Sequence, residues 1–191
     1  MTCCSGRPRW PDEAGRMTGV TLHAITVLGR DRPGIIAETT AILAGLGLNL
    51  EDSSMTLLRG HFAMTLISAG EAPADDVAAA LAPLEAGGAL TISVREVLAE
   101  LPAATAGSSW VLTVHGGDRP GIVSSIVSRV AAVGGNITDL TTRLSGELYL
   151  LVAEVDLPRG VDVEDVRRSL RAAAEELGVE VSLHEVEADE L

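Results

Sequence analysis

The sequence predicts an α+β protein of two tandem βαββαβ modules, each an antiparallel four-stranded sheet with two helices on one face. Three observations predict it: a repeat running the length of the chain, alternating apolar segments of strand length, and amphipathic segments of helical period between them. Asp31, Arg32, Pro33, Gly34 and Ile35 recur as Asp118, Arg119, Pro120, Gly121 and Ile122, an offset of 87 residues from Asp31 to Asp118. Without a gap the same offset carries Thr26 and Val27 onto Thr113 and Val114, Gly29 onto Gly116, and Gly47 onto Gly134. It also carries Asn49 onto Asn136, Asp52 onto Asp139, and Leu57 onto Leu144.

Each module yields its elements in the same order. HAITVLG and VLTVHGG alternate as a first strand, with Ile25 and Val27 matching Leu112 and Val114 on the inner face. After the DRPG turn, Ile36, Leu43 and Leu46 match Val123, Val130 and Val133 at helical spacing, and Gly45 and Gly47 or Gly134 and Gly135 end the helix. A hairpin follows, turning near Arg59 and Gly60 or Ser145 and Gly146, with Phe62 and Tyr149 at equivalent places on the third strand. Val77, Leu81 and Leu84, like Val163, Val166 and Leu170, mark a second amphipathic helix. LTISVREV and VEVSLHEV alternate as the fourth strand. Two helices on one face of such a sheet is the ferredoxin-like way of burying these stripes. The expected boundaries are a disordered leader over 1–17, a first module over 18–98, a linker over 99–108, a second module over 109–188 and an acidic tail over 189–191.

Composition narrows the function. Hydrophobic residues make up 47% of the chain and aromatics 2%, so Val, Leu, Ile and Ala must build the cores. With 14 basic and 27 acidic residues the formal charge is −13, which repels phosphate backbones and anionic lipid. Direct nucleic-acid or membrane binding is not expected. No apolar run approaches the roughly 20 residues that span a bilayer, and the first residues lack the apolar stretch of a secretory signal, so a cytoplasmic location is expected. Cys3 and Cys4 are adjacent, without metal spacing, in a polar leader that also holds Trp10. His23, His61, His115 and His184 show no ligand spacing and fit strand edges or the rim of the core. Asp75 and Asp76 fit a helix start, and Glu185, Glu187, Asp189 and Glu190 a solvated tail. No nucleophile stands beside a base, so neither catalysis nor a cofactor is expected.

The DRPGI segment places Pro33 and Pro120 at or just before the first helical position, where a fixed φ starts the helix. Asp31 and Asp118 complement the helix dipole and can cap free amides. Amides at a helix start, with Gly34 and Gly121 allowing close approach, also form a seat for a carboxylate. Asn49 and Asn136 each follow the loop aspartate by 18 residues (Asp31 to Asn49, Asp118 to Asn136). A helix and a return turn could bring that amide beside the loop, where it offers a donor and an acceptor. Alternatively, Asn tolerates the left-handed conformation and serves only the turn. On the residues alone both readings stay open.

A strand, then DRPGI, an amphipathic helix and G-x-N before an alternating strand resembles the ACT domain, a regulatory module of amino-acid metabolism. The tandem arrangement without a catalytic domain resembles the glycine cleavage system transcriptional repressor family. Single copies are similar to the ACT domains of formyltetrahydrofolate deformylases and nitrogen-signalling uridylyltransferases, whose catalytic parts have no counterpart here. The resemblance implies a small amino-acid ligand where the loop after the first strand faces a neighbouring domain. By position it implicates Asp31, Arg32, Pro33, Gly34 and Ile35 with Asn49, and Asp118, Arg119, Pro120, Gly121 and Ile122 with Asn136. Asp at the loop position, where some ACT sites have Asn, suits a ligand ammonium. Gly29 and Gly116 stand where the family often has His, and His115 sits one residue early, which argues against a serine-type site. The resemblance further implies a non-enzymatic regulator with a protein partner, a regulator or a metabolic enzyme, and homo-oligomers through side-by-side domains. The alternative is an ACT pair that binds no ligand and serves as an interaction module or as a regulatory subunit of an enzyme.

Overall fold

A computed structural model describes residues 20–98 and 107–186, in two compact units. The expected leader, linker and tail, with Cys3, Cys4 and Trp10, lie outside these residues or nearly so. The first unit runs β1 (Thr21–Arg30), α1 (Ile35–Gly45), β2 (Asn49–Leu58), β3 (His61–Gly70), α2 (Ala74–Leu81), a 3₁₀ turn (Ala82–Glu85) and β4 (Leu90–Val97). The second runs β5 (Ser108–Gly117), α3 (Ile122–Ala132), β6 (Asn136–Ser145), β7 (Leu148–Leu157), α4 (Val163–Leu177) and β8 (Val179–Glu185). The sheets order as β2-β3-β1-β4 and β6-β7-β5-β8, antiparallel throughout. Each is the expected βαββαβ module, with its long first and third strands central and the second and fourth at the edges.

Period-two alternation decides which side chains meet the helices. On β1, His23, Ile25 and Val27 are buried, and on β5 Trp110, Leu112 and Val114 take the same places. From above them, α1 contributes Ile35, Thr39 and Leu43, and α3 contributes Ile122, Ile126 and Val130. This corrects the predicted stripe: Ile36 and Val123 are 45% and 37% exposed. The helix starts at Ile35, so positions 35, 39 and 43 share the inward face and residue 36 is turned about 100° away. Val77 and Leu81 on α2 and Val166 and Leu170 on α4 are buried as expected, while Leu84 packs from the 3₁₀ turn.

The two cores differ where the repeat breaks. His23, Thr39 and Ser68 are fully buried in the first module, and their counterparts are Trp110, Ile126 and Val155. His23 therefore lies in the core rather than at its rim, because it shares the parity of Ile25 and Val27. His23 faces Ser68 across the sheet. The ring nitrogens of His23 and the hydroxyls of Thr39 and Ser68 have no hydrogen-bond partner among the described residues. Trp110, by contrast, donates its Nε1 hydrogen to Ser108 Oγ at 2.7 Å. Among the described residues no helix is long and apolar enough to cross a membrane.

Candidate functional site

The DRPGI segment of each module connects the end of a central strand to the start of a helix. Gly34 and Gly121 occupy the N-cap with φ of 95° and 96°. That left-handed backbone costs an L side chain roughly 1–2 kcal/mol, which accounts for glycine at both positions. Pro33 and Pro120 lie in the turn before the cap rather than at the first helical residue. No side chain caps either helix, so Asp31 and Asp118 do not play the capping part expected of them. The first helical hydrogen bonds run from Glu38 and Ser125 to the carbonyls of Gly34 and Gly121, both at 2.9 Å. The amides of residues 35–37 and 122–124 precede those bonds and face outward from the helix end. They form a donor cluster at the positive end of the helix dipole.

A pocket opens at each loop. The first, about 340 Å³, is bounded by residues 31–37 together with Met55 and Phe62. The second, about 290 Å³, is bounded by Asp118, Arg119, residues 121–124 and Tyr149. Ile36 and Val123, displaced from the core, line these pockets. The hairpin turns hold the loops from below, through Asp31 N–H to Gly60 O and Asp118 N–H to Glu147 O, each 3.3 Å.

Inside this shared frame the guanidiniums behave differently. Arg32 forks onto the Glu38 carboxylate through Nη1 to Oε1 at 2.8 Å and Nη2 to Oε2 at 2.5 Å. The hydrogen bond from Arg32, opposed by desolvation and helped by their Coulomb attraction, holds the Glu38 carboxyl below its ordinary range. In the second module Ser125 stands in the place of Glu38. Arg119 has no carboxylate partner among the described residues, and its guanidinium lies over Gly178 at the C-terminal end of α4. Sequence reasoning missed this difference, although the exchange of Glu38 for Ser125 within the repeat was the visible signal.

The topology separates the loop from the asparagine of its own module. Asn49 pairs with Ala69, which faces Leu22 near the start of β1, whereas the loop follows Arg30 at its other end. From Leu22 to Arg30 the strand advances on the order of 26 Å at about 3.3 Å per residue. Asn136 is placed likewise, opposite Asp156. The expectation that the return turn brings the amide beside its own loop is therefore overturned, because α1 and α3 carry the chain the full length of the sheet first. The turn-only reading fails too: Gly47 and Gly134, at φ of 73° and 74°, supply the left-handed residue, and both asparagines open strands. Neither carboxamide has a hydrogen-bond partner among the described residues. At the Asn49 end, Leu22, Glu51, Asp52, Ile67, Val97 and Leu98 surround another pocket, of about 520 Å³, which the sequence did not announce.

Gly29 and Gly116, at the positions where the resemblance implies His, have no room for a side chain. A Cβ on Gly29 would stand 2.0 Å from Ala89 O, and one on Gly116 would stand 2.8 Å from Val179 Cγ1. His115 instead faces the open side of its sheet, with Nε2 3.2 Å from Glu180. Among the described residues no group of His, Cys, Asp and Glu is arranged to hold a metal ion.

Comparison with known proteins follows the repeat. The family described as ACT domain matches residues 22–95 and 109–184, one match in each module. The glycine cleavage system transcriptional repressor of Escherichia coli K12 is 25% identical over 170 residues, covering 85% of this chain and 88% of that protein. A UPF0237 protein of Methanopyrus kandleri is 44% identical over 72 residues, covering 37% of this chain and 80% of that protein. The crystal structure of an unknown protein from Galdieria sulphuraria matches with a TM-score of 0.71 at 29% identity, covering 87% of this chain and 99% of that one.

Proposed function

This chain belongs to the ACT domain family, and from that premise we propose that it is a non-enzymatic regulator that binds a small amino acid at its DRPGI loops and acts through a protein partner. Its distant relation to the glycine cleavage system transcriptional repressor favours a part in regulating transcription of amino-acid or one-carbon metabolism, in the cytoplasm. The observation that carries this reading is the open helix start in each loop, an uncapped cluster of amides beside a guanidinium and an aspartate. A zwitterionic ligand needs donors for its carboxylate and acceptors for its ammonium. The helix-start amides supply the first, and Asp31 or Asp118 the second.

Because Asn49 and Asn136 stand at the far ends of their own sheets, an asparagine that shares the ligand comes from a neighbouring ACT domain. The edge strands that begin with these asparagines are exposed along nearly their whole length, and Met55 and Leu57 on β2 are 48% and 47% exposed. Unpaired edges of this kind call for a cover, which favours side-by-side pairing and a homo-oligomer. Of the two loops, the second suits a ligand carboxylate better, since among the described residues Arg119 has no competing acid while Glu38 already occupies Arg32. The Glu38 pair also gives the alternative reading its specific support: the first loop satisfies itself and serves interaction alone.

The test is thermal melting of the full chain with a panel of amino acids, because a ligand of the native state raises the melting temperature by mass action. At least one small amino acid raises it in the wild type. With Asn49 and Asn136 changed to Ala, stability stays within about 1 kcal/mol, as expected for exposed positions. Affinity then falls by roughly 1–3 kcal/mol. Lost stability with affinity unchanged returns both residues to a structural role.

A further inference from the structure

The second module carries a pocket of another kind, away from its loop. A groove of about 300 Å³ runs between α4 and the edge strand β8, lined by Arg167, Leu170, Arg171, Ser182, Leu183 and His184 among others. Arg167 is fixed in position on its wall. Its guanidinium lies 5.4 Å over the ring of the buried Trp110, Nη2 donates to the Leu183 carbonyl at 3.0 Å, and Nη1 donates to Glu164 at 2.7 Å. Arg171 follows one helical turn later on the same wall. It has no ion pair or hydrogen bond among the described residues. From the strand, residues 181–184 close the groove along the β8 edge, with Leu183 turned to the core and His184, of the opposite parity, on the open side of the sheet.

The fold does not require this arrangement. Aligning Val77 and Leu81 with Val166 and Leu170 puts Ala78 and Ala82 of the first module where Arg167 and Arg171 stand in the second. In a chain of net charge −13, Arg171 adds to this groove a second guanidinium that no core contact uses, beside one that already packs on Trp110. Among the described residues the only acid bonded to this wall is Glu164, whose side chain is 64% exposed, and a pair that open to water contributes little against a competing anion. Guanidinium forks match the paired oxygens of phosphate and carboxylate groups.

We propose that the α4–β8 groove is a second, loop-independent site that binds a small oxyanion, a phosphate or a carboxylate group, between Arg167 and Arg171. The experiment is an NMR titration of the full chain with inorganic phosphate and, separately, with succinate, at ionic strength held constant with sodium chloride. The Arg167 and Arg171 side-chain resonances shift saturably with at least one probe, and the probe that saturates identifies the oxyanion. Arg171→Gln weakens that binding by about tenfold, the usual scale for losing a charge-assisted pair. Arg168→Gln, on the same helix but paired with Asp165 outside the groove, binds as the wild type does. The proposal is overturned if neither probe saturates, or if Arg171→Gln binds with unchanged affinity. Arg119→Gln in the loop leaves the titration unaltered, so failure here and failure of the amino-acid reading are told apart.

Discussion

A single exchange within the repeat, Glu38 for Ser125, decides what the guanidinium of each loop meets, and it makes a pH prediction. Glu38 is held below its ordinary range chiefly by the hydrogen bond from Arg32, so its folded pKa lies below its unfolded one. The pair then contributes stability above the ordinary carboxyl range, and that contribution is lost as pH falls through the folded value. Urea midpoints of the wild type therefore fall more steeply in acid than those of Glu38→Gln; parallel profiles would refute the pairing in solution. Thr39 poses a different residue-scale question, because its hydroxyl is buried without a partner among the described residues, at a site where the second module has Ile126. Thr39→Val keeps the branched shape and removes the orphaned oxygen. Stability should rise by about 1 kcal/mol in chemical denaturation, the usual scale for an unsatisfied hydroxyl. A lowered midpoint would show that the hydroxyl is satisfied after all.

At the scale of elements, the helix starts depend on one backbone conformation. Changing Gly34 or Gly121 to Ala forces a left-handed Cβ at the N-cap and should lower stability by about 1–2 kcal/mol, while Gly117→Ala, at ordinary φ and with open space around it, serves as the neutral control. Equal melting of all three variants would contradict the assigned cap. The succession of elements along the chain, the hairpins and both helices of each module were legible, because alternation and helical period are local signals and the repeat showed them twice. The phase of α1 and α3 was not, since either Ile35 or Ile36 can lead an apolar stripe and only the left-handed glycine fixes which residue begins the helix. The position of Asn49 relative to its loop was also not legible. A spacing of 18 residues repeats in both modules, but it does not say that a helix has carried the chain to the opposite end of the sheet. The groove at β8 stayed hidden because Arg167 and Arg171 look in sequence like two solvated arginines on an exposed helical face, and only the neighbouring strand makes them a wall.

For the whole molecule, a charge of −13 with no basic stripe in sequence predicts no measurable DNA affinity at physiological salt. A salt-dependent gel shift with the purified protein would overturn that, together with the need for a protein partner in any transcriptional effect. The same charge leaves the loops as places where anions are met by oriented amides and guanidiniums rather than by a general positive field. The most direct measurement of the central claim is an amide NMR titration of the labelled full chain with the amino acid that raises its melting temperature most. The account predicts saturable shifts concentrated at the amides of residues 121–124 and at the side-chain amides of Asn49 and Asn136, with weaker shifts at residues 34–37. It is contradicted if no amino acid shifts these resonances, or if saturable shifts appear only elsewhere.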